Sequence, residues 1–282
     1  MRTTISDVRS WKKSGTRFAT LTAYDASMAA IVEAAGVRLI LVGDSLGMVF
    51  QGHDSTIPVT LDDIVYHTRA VVRGTKTALV VSDLPFLTYH KSPEQALDSA
   101  GRCIQEGGAQ AVKLEGGRTV AATVKRLTDA GIPVLGHIGL TPQSIHQLGG
   151  YGTQGKTASQ AKALLDDAQS LNDAGAFAVV LECVPSELAA LLTHSISIPT
   201  IGIGAGPDCD GQIQVIHDIL GLFAGFVPRH AKQYATLADT ARQAIERYAA
   251  EVEGHAFPDG QHSVAMKPDA LETLREQIQD LE

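Results

Sequence analysis

Cysteine is scarce in this chain, with three residues among 282. Cys103, Cys183 and Cys209 are odd in number, widely spaced and follow no metal-ligand pattern, which argues for reduced thiols in a cytosolic protein. Positive charge is also in short supply. Lys and Arg number 23 against 31 Asp and Glu, a formal net charge of -8, which argues against nucleic acid or an anionic membrane as a main partner. Long apolar runs are missing: the longest candidate, 219–227, falls short of a bilayer span. The stretch Met1-Arg2-Thr3-Thr4-Ile5-Ser6-Asp7 lacks the apolar core of a secretory signal, so a cytoplasmic location is expected.

What is present is a core. Hydrophobic residues make up 44% of the chain, enough for one large α/β domain or two ordinary ones. Three apolar runs in the first half end in carboxylates: Leu39-Ile40-Leu41-Val42-Gly43-Asp44, Ala78-Leu79-Val80-Val81-Ser82-Asp83 and Ala111-Val112-Lys113-Leu114-Glu115. A fourth, Phe177-Ala178-Val179-Val180-Leu181-Glu182, ends the same way. Such runs, separated by helix-like stretches, read as buried parallel strands. Strands are expected at 18–23, 39–43, 78–82, 111–114, 133–137, 178–182 and 199–203, with an eighth at 212–216. Helices are expected at 25–35, 93–106, 119–130, 159–174 and 185–192, the first four closing on glycines. Alternation on this scale matches a (β/α)8 TIM barrel of about 250 residues; a doubly wound open sheet is the alternative. The expected organisation is one barrel domain, 1–264, followed by a short amphipathic tail, 265–282.

Segment 46–60 is not helix-like and reads as a long βα loop covering a substrate site. Thr60 reads as a helix cap, with Asp62 and Asp63 in the first turn. Segment 256–266 is polar and loop-like, and Leu271, Leu274, Ile278 and Leu281 mark an amphipathic helix over 269–281 that docks on the barrel or a neighbouring subunit. His53, His67, His90 and His146 read as surface or loop histidines.

Parallel strands bring their C-terminal ends to one side of the sheet. Asp44, Asp83 and Glu115 would therefore converge on one cleft, where a cation makes their repulsion tolerable. Residues two apart in a strand share a face, so Lys113 lies beside Glu115. An interior lysine in a strand is rare without a role. Ser45 follows Asp44 where the second strand turns into its loop, and His137 ends the fifth strand. Oxygen ligands of this kind suit Mg²⁺, and a metal beside a lysine favours a 2-oxo acid that chelates in bidentate fashion. Chelation stabilises an enolate, and Glu182, off the metal, is the candidate base.

At these residues the chain closely resembles the ketopantoate hydroxymethyltransferase family. The matching stretches include Leu21-Thr22-Ala23-Tyr24-Asp25, Val42-Gly43-Asp44-Ser45-Leu46-Gly47-Met48, Gly52-His53-Asp54-Ser55-Thr56, Asp83-Leu84-Pro85-Phe86, Val112-Lys113-Leu114-Glu115-Gly116-Gly117, Gly136-His137-Ile138-Gly139-Leu140-Thr141-Pro142-Gln143, Leu181-Glu182-Cys183-Val184-Pro185 and Ile201-Gly202-Ile203-Gly204-Ala205-Gly206. The resemblance runs in order over roughly residues 3–262. It implies a (β/α)8 barrel, Mg²⁺ dependence and transfer of a one-carbon unit from 5,10-methylenetetrahydrofolate to 3-methyl-2-oxobutanoate, the first committed step toward pantothenate. It places Asp44, Asp83 and Glu115 around the metal, Ser45 and Lys113 on the substrate carboxylate and keto group, Glu182 as proton acceptor and His137 in the same pocket. It also implies a cytoplasmic homo-oligomer of ten subunits. The chain departs from the family pattern at Arg229-His230, at Pro207-Asp208-Cys209 and after Lys267.

Other readings compete. Gly150-Tyr151-Gly152-Thr153-Gln154-Gly155-Lys156-Thr157 matches a phosphate-binding G-x-x-x-x-G-K-T loop, but no strand leads directly into it, so a lid on the fifth βα loop is the better fit. Gly202-Ile203-Gly204-Ala205-Gly206 is a weak dinucleotide signal. A catalytically dead barrel is disfavoured by the complete acid, lysine and histidine set. A carbon–carbon lyase or phosphonate-forming mutase would need the same metal-held enolate, and the acids alone do not exclude it.

Overall fold

The computed structural model describes residues 1–222 and 227–279. Eight parallel strands, β1 (Phe18–Thr22), β2 (Leu39–Val42), β3 (Leu79–Asp83), β4 (Ala111–Glu115), β5 (Val134–Gly139), β6 (Ala178–Glu182), β7 (Thr200–Ile203) and β8 (Gly211–Gln214), close into a barrel in sequence order. Closure is made by β8 on β1, with Phe18 opposite Gly211 and Leu21 opposite Gln214. The fold is thus the (β/α)8 barrel expected from the strand spacing.

The helices are α1 (Ile5–Ser14), α2 (Ala26–Ala34), α3 (Leu46–Val49), α4 (Leu61–Gly74), α5 (Pro93–Gln105), α6 (Ala121–Asp129), α7 (Ile145–Leu148), α8 (Ala158–Asp173), α9 (Ser186–Ser195), α10 (Ile216–Leu220), α11 (Leu237–Glu253) and α12 (Pro268–Gln279). Side-chain caps set the starts of several of them. Thr60 and Asp63 form a capping box on α4, Thr157 and Gln160 form one on α8, and Ser92 caps α5 with Pro93 in its first turn. The cap read at Thr60 is therefore present, while Asp62 pairs with Arg102 at 2.8 Å.

Three local expectations need correction. The 46–60 loop does contain a helix, the single turn α3, too short to give a repeating apolar pattern. The eighth strand stops at Gln214, because Ile216 already begins α10, its N–H donating to Thr22 Oγ1 at 3.0 Å. His67 is neither on the surface nor in a loop: it sits in α4, 6% exposed, with Nδ1 2.6 Å from the Tyr24 carbonyl oxygen.

Two layers of apolar packing follow from strand alternation. Ile40, Val42, Val80, Val112, Leu114, Val179 and Leu181 face outward and pack in the cluster that includes helix residues such as Val65, Ala100, Leu127 and Leu171. Leu39, Leu41, Leu79, Val81, Ala111, Leu135, Ala178, Val180, Ile201 and Ile213 fill the inside, joined by Val8 and Trp11 of α1. Trp11 stacks on Phe18 at 4.8 Å, so an apolar plug fills the floor of the barrel. The polar site must therefore sit at the other end.

By its contacts the chain divides into two compact units, Met1–Tyr234 and Ala235–Glu282. The first holds the barrel. The second holds α11 and α12, neither of which buries a residue, and so α11 groups with the tail despite preceding residue 264. Leu271, Leu274 and Ile278 fall within α12; Leu281 lies outside the described residues.

Candidate active site

The inward register of each strand carries its last residues into the top of the barrel. On β3 the inward series Leu79 and Val81 continues to Asp83; on β4, Ala111 continues to Lys113 and Glu115. On β5, Leu135 leads to His137, and on β6, Ala178 and Val180 lead to Glu182. Cross-strand pairing then sets Asp83 beside Lys113 and Glu115 beside His137. Asp44 and Ser45 enter from the turn between β2 and α3. Asp44, Ser45, Asp83, Lys113, Glu115, His137 and Glu182 all line one cavity of about 1150 Å³ at the C-terminal end of the strands, where barrel enzymes carry their chemistry.

Contacts within the group are close. Lys113 Nζ donates to Asp83 Oδ2 at 2.7 Å and Oδ1 at 2.9 Å, and lies 3.7 Å from Glu115 Oε1. The Asp44 backbone N–H donates to Asp83 Oδ2 at 3.3 Å. His137 bridges two carboxylates, with Nδ1 3.3 Å from Glu115 Oε1 and Nε2 3.1 Å from Glu182 Oε2. Neither approach is aligned as a hydrogen bond, and both are ion contacts. Ser45 Oγ lies 2.9 Å from the Tyr24 hydroxyl. Gly139 lets β5 close on β6 here: its φ is +95°, and a Cβ on it would stand 2.2 Å from the Glu182 carbonyl oxygen.

Burial of so many charges displaces their titration. Burial, then Asp83 and Glu115, lift Asp44 well above the ordinary carboxylate range, with Lys113 and Gln143 opposing. Burial lifts Asp83 as well, with Lys113 opposing. Burial and Lys113 push His137 down, but Glu115 and Glu182 outweigh them and raise it to about 9. Burial lowers Lys113, and the surrounding Asp83, Glu115 and Asp44 more than reverse that, so it stays an ammonium.

Asp44, Asp83 and Glu115 are oxygen donors of the type a hard divalent cation takes. Glu115 Oε1 is buried with no aligned hydrogen-bond partner, and Asp44 is held in a field of like charge that a cation would relieve. Among the described residues no three His, Cys, Asp or Glu side chains form a ready-made cage. Mg²⁺ does not require one, because it keeps several waters and takes one or two carboxylates directly.

Sequence reasoning missed the residue that ties this group together. Gln143, 3% exposed, follows β5 in a turn at Pro142–Ser144. Its Nε2 donates to Asp44 Oδ2 and to the Leu84 carbonyl, both at 2.9 Å, and its backbone N–H donates to Glu115 Oε2 at 3.0 Å. Its Oε1 accepts from the Tyr89 hydroxyl at 2.7 Å, which in turn accepts from the Glu115 N–H at 3.1 Å. Glutamine after a Thr-Pro turn has no local signature; Gly136-His137-Ile138-Gly139-Leu140-Thr141-Pro142-Gln143 was its one available signal.

The competing motifs take other places. The segment 150–157 runs between α7 and α8 with no strand before it, Lys156 is exposed, and Tyr151 and Thr153 line the cavity. The glycine run after β7 leads to β8 without the helix a dinucleotide turn requires. From the 46–60 loop, Met48, Val49, His53, Asp54 and Thr56 reach the cavity wall.

The family model for ketopantoate hydroxymethyltransferase matches residues 2–260. A curated 3-methyl-2-oxobutanoate hydroxymethyltransferase of Dehalococcoides mccartyi (strain CBDB1) is 58% identical over 98% of this chain and 99% of that protein. The protein of that name from Chloroflexus aurantiacus (strain ATCC 29366 / DSM 635 / J-10-fl) is 57% identical over 96% of both chains, and that from Clostridium botulinum (strain Alaska E43 / Type E3) is 52% identical over 97% of this chain and 100% of its own. Among solved structures, 2,3-dimethylmalate lyase, a member of the PEP mutase/isocitrate lyase superfamily, aligns with TM-score 0.59 at 15% identity over 100% of this chain and 97% of its own. Phosphonopyruvate hydrolase aligns with TM-score 0.57 at 14% identity over 98% and 96%, respectively. These two likenesses concern the fold alone. On the family match and the near full-length identities, the chain belongs to the ketopantoate hydroxymethyltransferase family and is a transferase of that kind.

Proposed function

We propose that this enzyme transfers a hydroxymethyl group from 5,10-methylenetetrahydrofolate to 3-methyl-2-oxobutanoate, giving 2-dehydropantoate, as the first step of pantothenate biosynthesis. The observation that carries this reading is that Asp44, Asp83, Glu115 and Lys113 share one cavity with Glu182, which is set off from the acids by His137. Asp44, Asp83 and Glu115 would hold Mg²⁺, which when bound supplies positive charge where the keto acid develops negative charge. The Lys113 ammonium, fixed on Asp83, and the Ser45 hydroxyl, fixed on Tyr24, orient the carboxylate and keto oxygens of the substrate. Glu182 takes the proton from C3, and His137 at 3.1 Å holds the carboxylate in place while it does so. C3 then forms its bond to the one-carbon unit, both bonds from that carbon to the two folate nitrogens break, water supplies the hydroxyl group, and the proton lost from C3 and the remaining proton of water end on the two nitrogens.

The test is proton exchange at C3 of 3-methyl-2-oxobutanoate in heavy water, followed by NMR with Mg²⁺ present. Glu182→Gln should slow exchange by about 100-fold or more, the usual contribution of a positioned general base, while binding the keto acid as before. Exchange at the wild-type rate would reassign the base.

A ten-subunit cytoplasmic assembly belongs to the same proposal, supported by the family membership, as does a short tail over 265–282, supported by α12, which buries no residue. Small molecules are its proposed partners, with nucleic acid disfavoured by the net charge of -8.

A further inference from the structure

The cavity is larger than its acidic side requires. At about 1150 Å³ it exceeds the usual range for a single drug-sized ligand, and a small branched keto acid fills little of it. The acids come from β2, β3 and β4; across the mouth, β8 and α10 supply Gln214 and Asp218. Asp218 is 7% exposed and lines the cavity, and its carboxylate makes no hydrogen bond or ion pair with the described residues. Burial raises its pKa, with His230 opposing. Gln214 Oε1 is buried and has no partner, since its amide Nε2 is turned to the His230 carbonyl at 3.4 Å. Between them and Glu182, the residue after β7 is Gly204, at φ +64°, with the His230 and Cys183 side chains 3.3 Å from where its Cβ would stand.

Buried acceptors are rarely left without donors in native proteins, and the exceptions call for an explanation. Here the Asp218 carboxylate lines the open cavity without a donor, and four residues before it Gln214 keeps a buried Oε1 without one. The two oxygens of the Asp218 carboxylate match the edge of a flat ring that presents an amine and a ring N–H side by side. We propose that Asp218, assisted by Gln214, binds the 2-amino-4-oxopyrimidine edge of the pterin ring of the one-carbon donor, holding the ring in the same cavity as Glu182. This inference rests on the folate-dependent reading given above. Asp218 accepts from the 2-amino group and the ring N–H, as a carboxylate does from any amidine-like edge. The keto acid and the donor thus enter one cavity from opposite walls.

Calorimetry with tetrahydrofolate as the probe, on the full chain, tests it. Asp218→Asn should weaken tetrahydrofolate binding by about tenfold or more, the loss expected when a charged acceptor of paired hydrogen bonds is neutralised. Gln214→Leu should weaken it by a smaller factor. Affinity for 3-methyl-2-oxobutanoate with Mg²⁺ should stay within about twofold, which also reports that the variants fold. A tetrahydrofolate lacking the 2-amino group should bind the wild type more weakly than tetrahydrofolate does, and Asp218→Asn should no longer distinguish the two. Wild-type-like tetrahydrofolate affinity in Asp218→Asn, or undiminished discrimination of the analogue, overturns the assignment and leaves the transferase reading standing. A wild-type protein that binds the keto acid but no tetrahydrofolate overturns the donor and this subsite together.

Discussion

Replacing Gln143 by leucine should unfasten the acid cluster without touching a charged residue. The side chain makes three buried hydrogen bonds, to Asp44 Oδ2, to the Leu84 carbonyl and from the Tyr89 hydroxyl. Leucine fills a similar volume but offers no donor. Tyr89 can turn to the Glu115 carbonyl at 3.2 Å, so its loss is small. Asp44 Oδ2 and the Leu84 carbonyl are left bare. A stranded buried carboxylate oxygen costs about 3 kcal/mol and a stranded carbonyl about 1 kcal/mol, against about 1 kcal/mol regained from the apolar side chain. The net cost is about 3 kcal/mol, a large fraction of the 5–15 kcal/mol typical of a domain. The metal-free protein should therefore melt about 6–12 °C lower, by differential scanning calorimetry in the presence of a chelator. Asp44 should also lose its fixed orientation, so C3 exchange of 3-methyl-2-oxobutanoate should fall in parallel. A melting point within about 2 °C of wild type, with unchanged exchange, would refute the role given to Gln143.

Glu33 of α2 accepts the N–H groups of Thr77 and Ala78 at 2.7 Å and of Lys76 at 3.0 Å, clamping the turn into β3. Burial opposes its ionisation, yet these hydrogen bonds lower its pKa to about 2. The folded value lies below the ordinary 4.5, so the clamp stabilises fully above that pH and is lost as pH falls from about 4.5 toward 2. Discounted for solvent screening, it is worth about 1–2 kcal/mol. Urea midpoints of wild type and Glu33→Gln should differ by that amount at neutral pH and converge under acid; an equal gap at both would contradict the linkage. Gly74→Ala should destabilise by about 1–3 kcal/mol although alanine is the better helix former. A Cβ on Gly74 would stand 2.2 Å from the Ala26 carbonyl oxygen, where α4 crosses α2. A variant that melts at or above wild type would show that the crossing can relax.

The barrel and its inner acids were legible because each depends on a short stretch of chain. Leu79-Val80-Val81-Ser82-Asp83 states its strand, its buried faces and the inward direction of Asp83 within five residues, and Ala111 to Glu115 does the same for Lys113 and Glu115. Strand parity then does the placing, since the apolar residues of the inner series must fill the barrel and their polar successors must top it. Helix α1 was equally available, because Thr4 and Asp7 make a capping box three residues apart, but its role in plugging the floor depends on Trp11 meeting Phe18, which no local pattern announces. Gln143 lies further from legibility still. Its partners Asp44, Leu84, Tyr89 and Glu115 come from two different βα loops and one strand end, and its side chain obeys no period. The same holds for Asp218, which reads locally as an acid in the first turn of a helix and acquires meaning from a cavity formed by eight strands. What sequence conveys in this fold is the direction of side chains along each strand. The satisfaction of polar groups between strands is a property of closure, and it is there that the acids of this barrel obtain their positions.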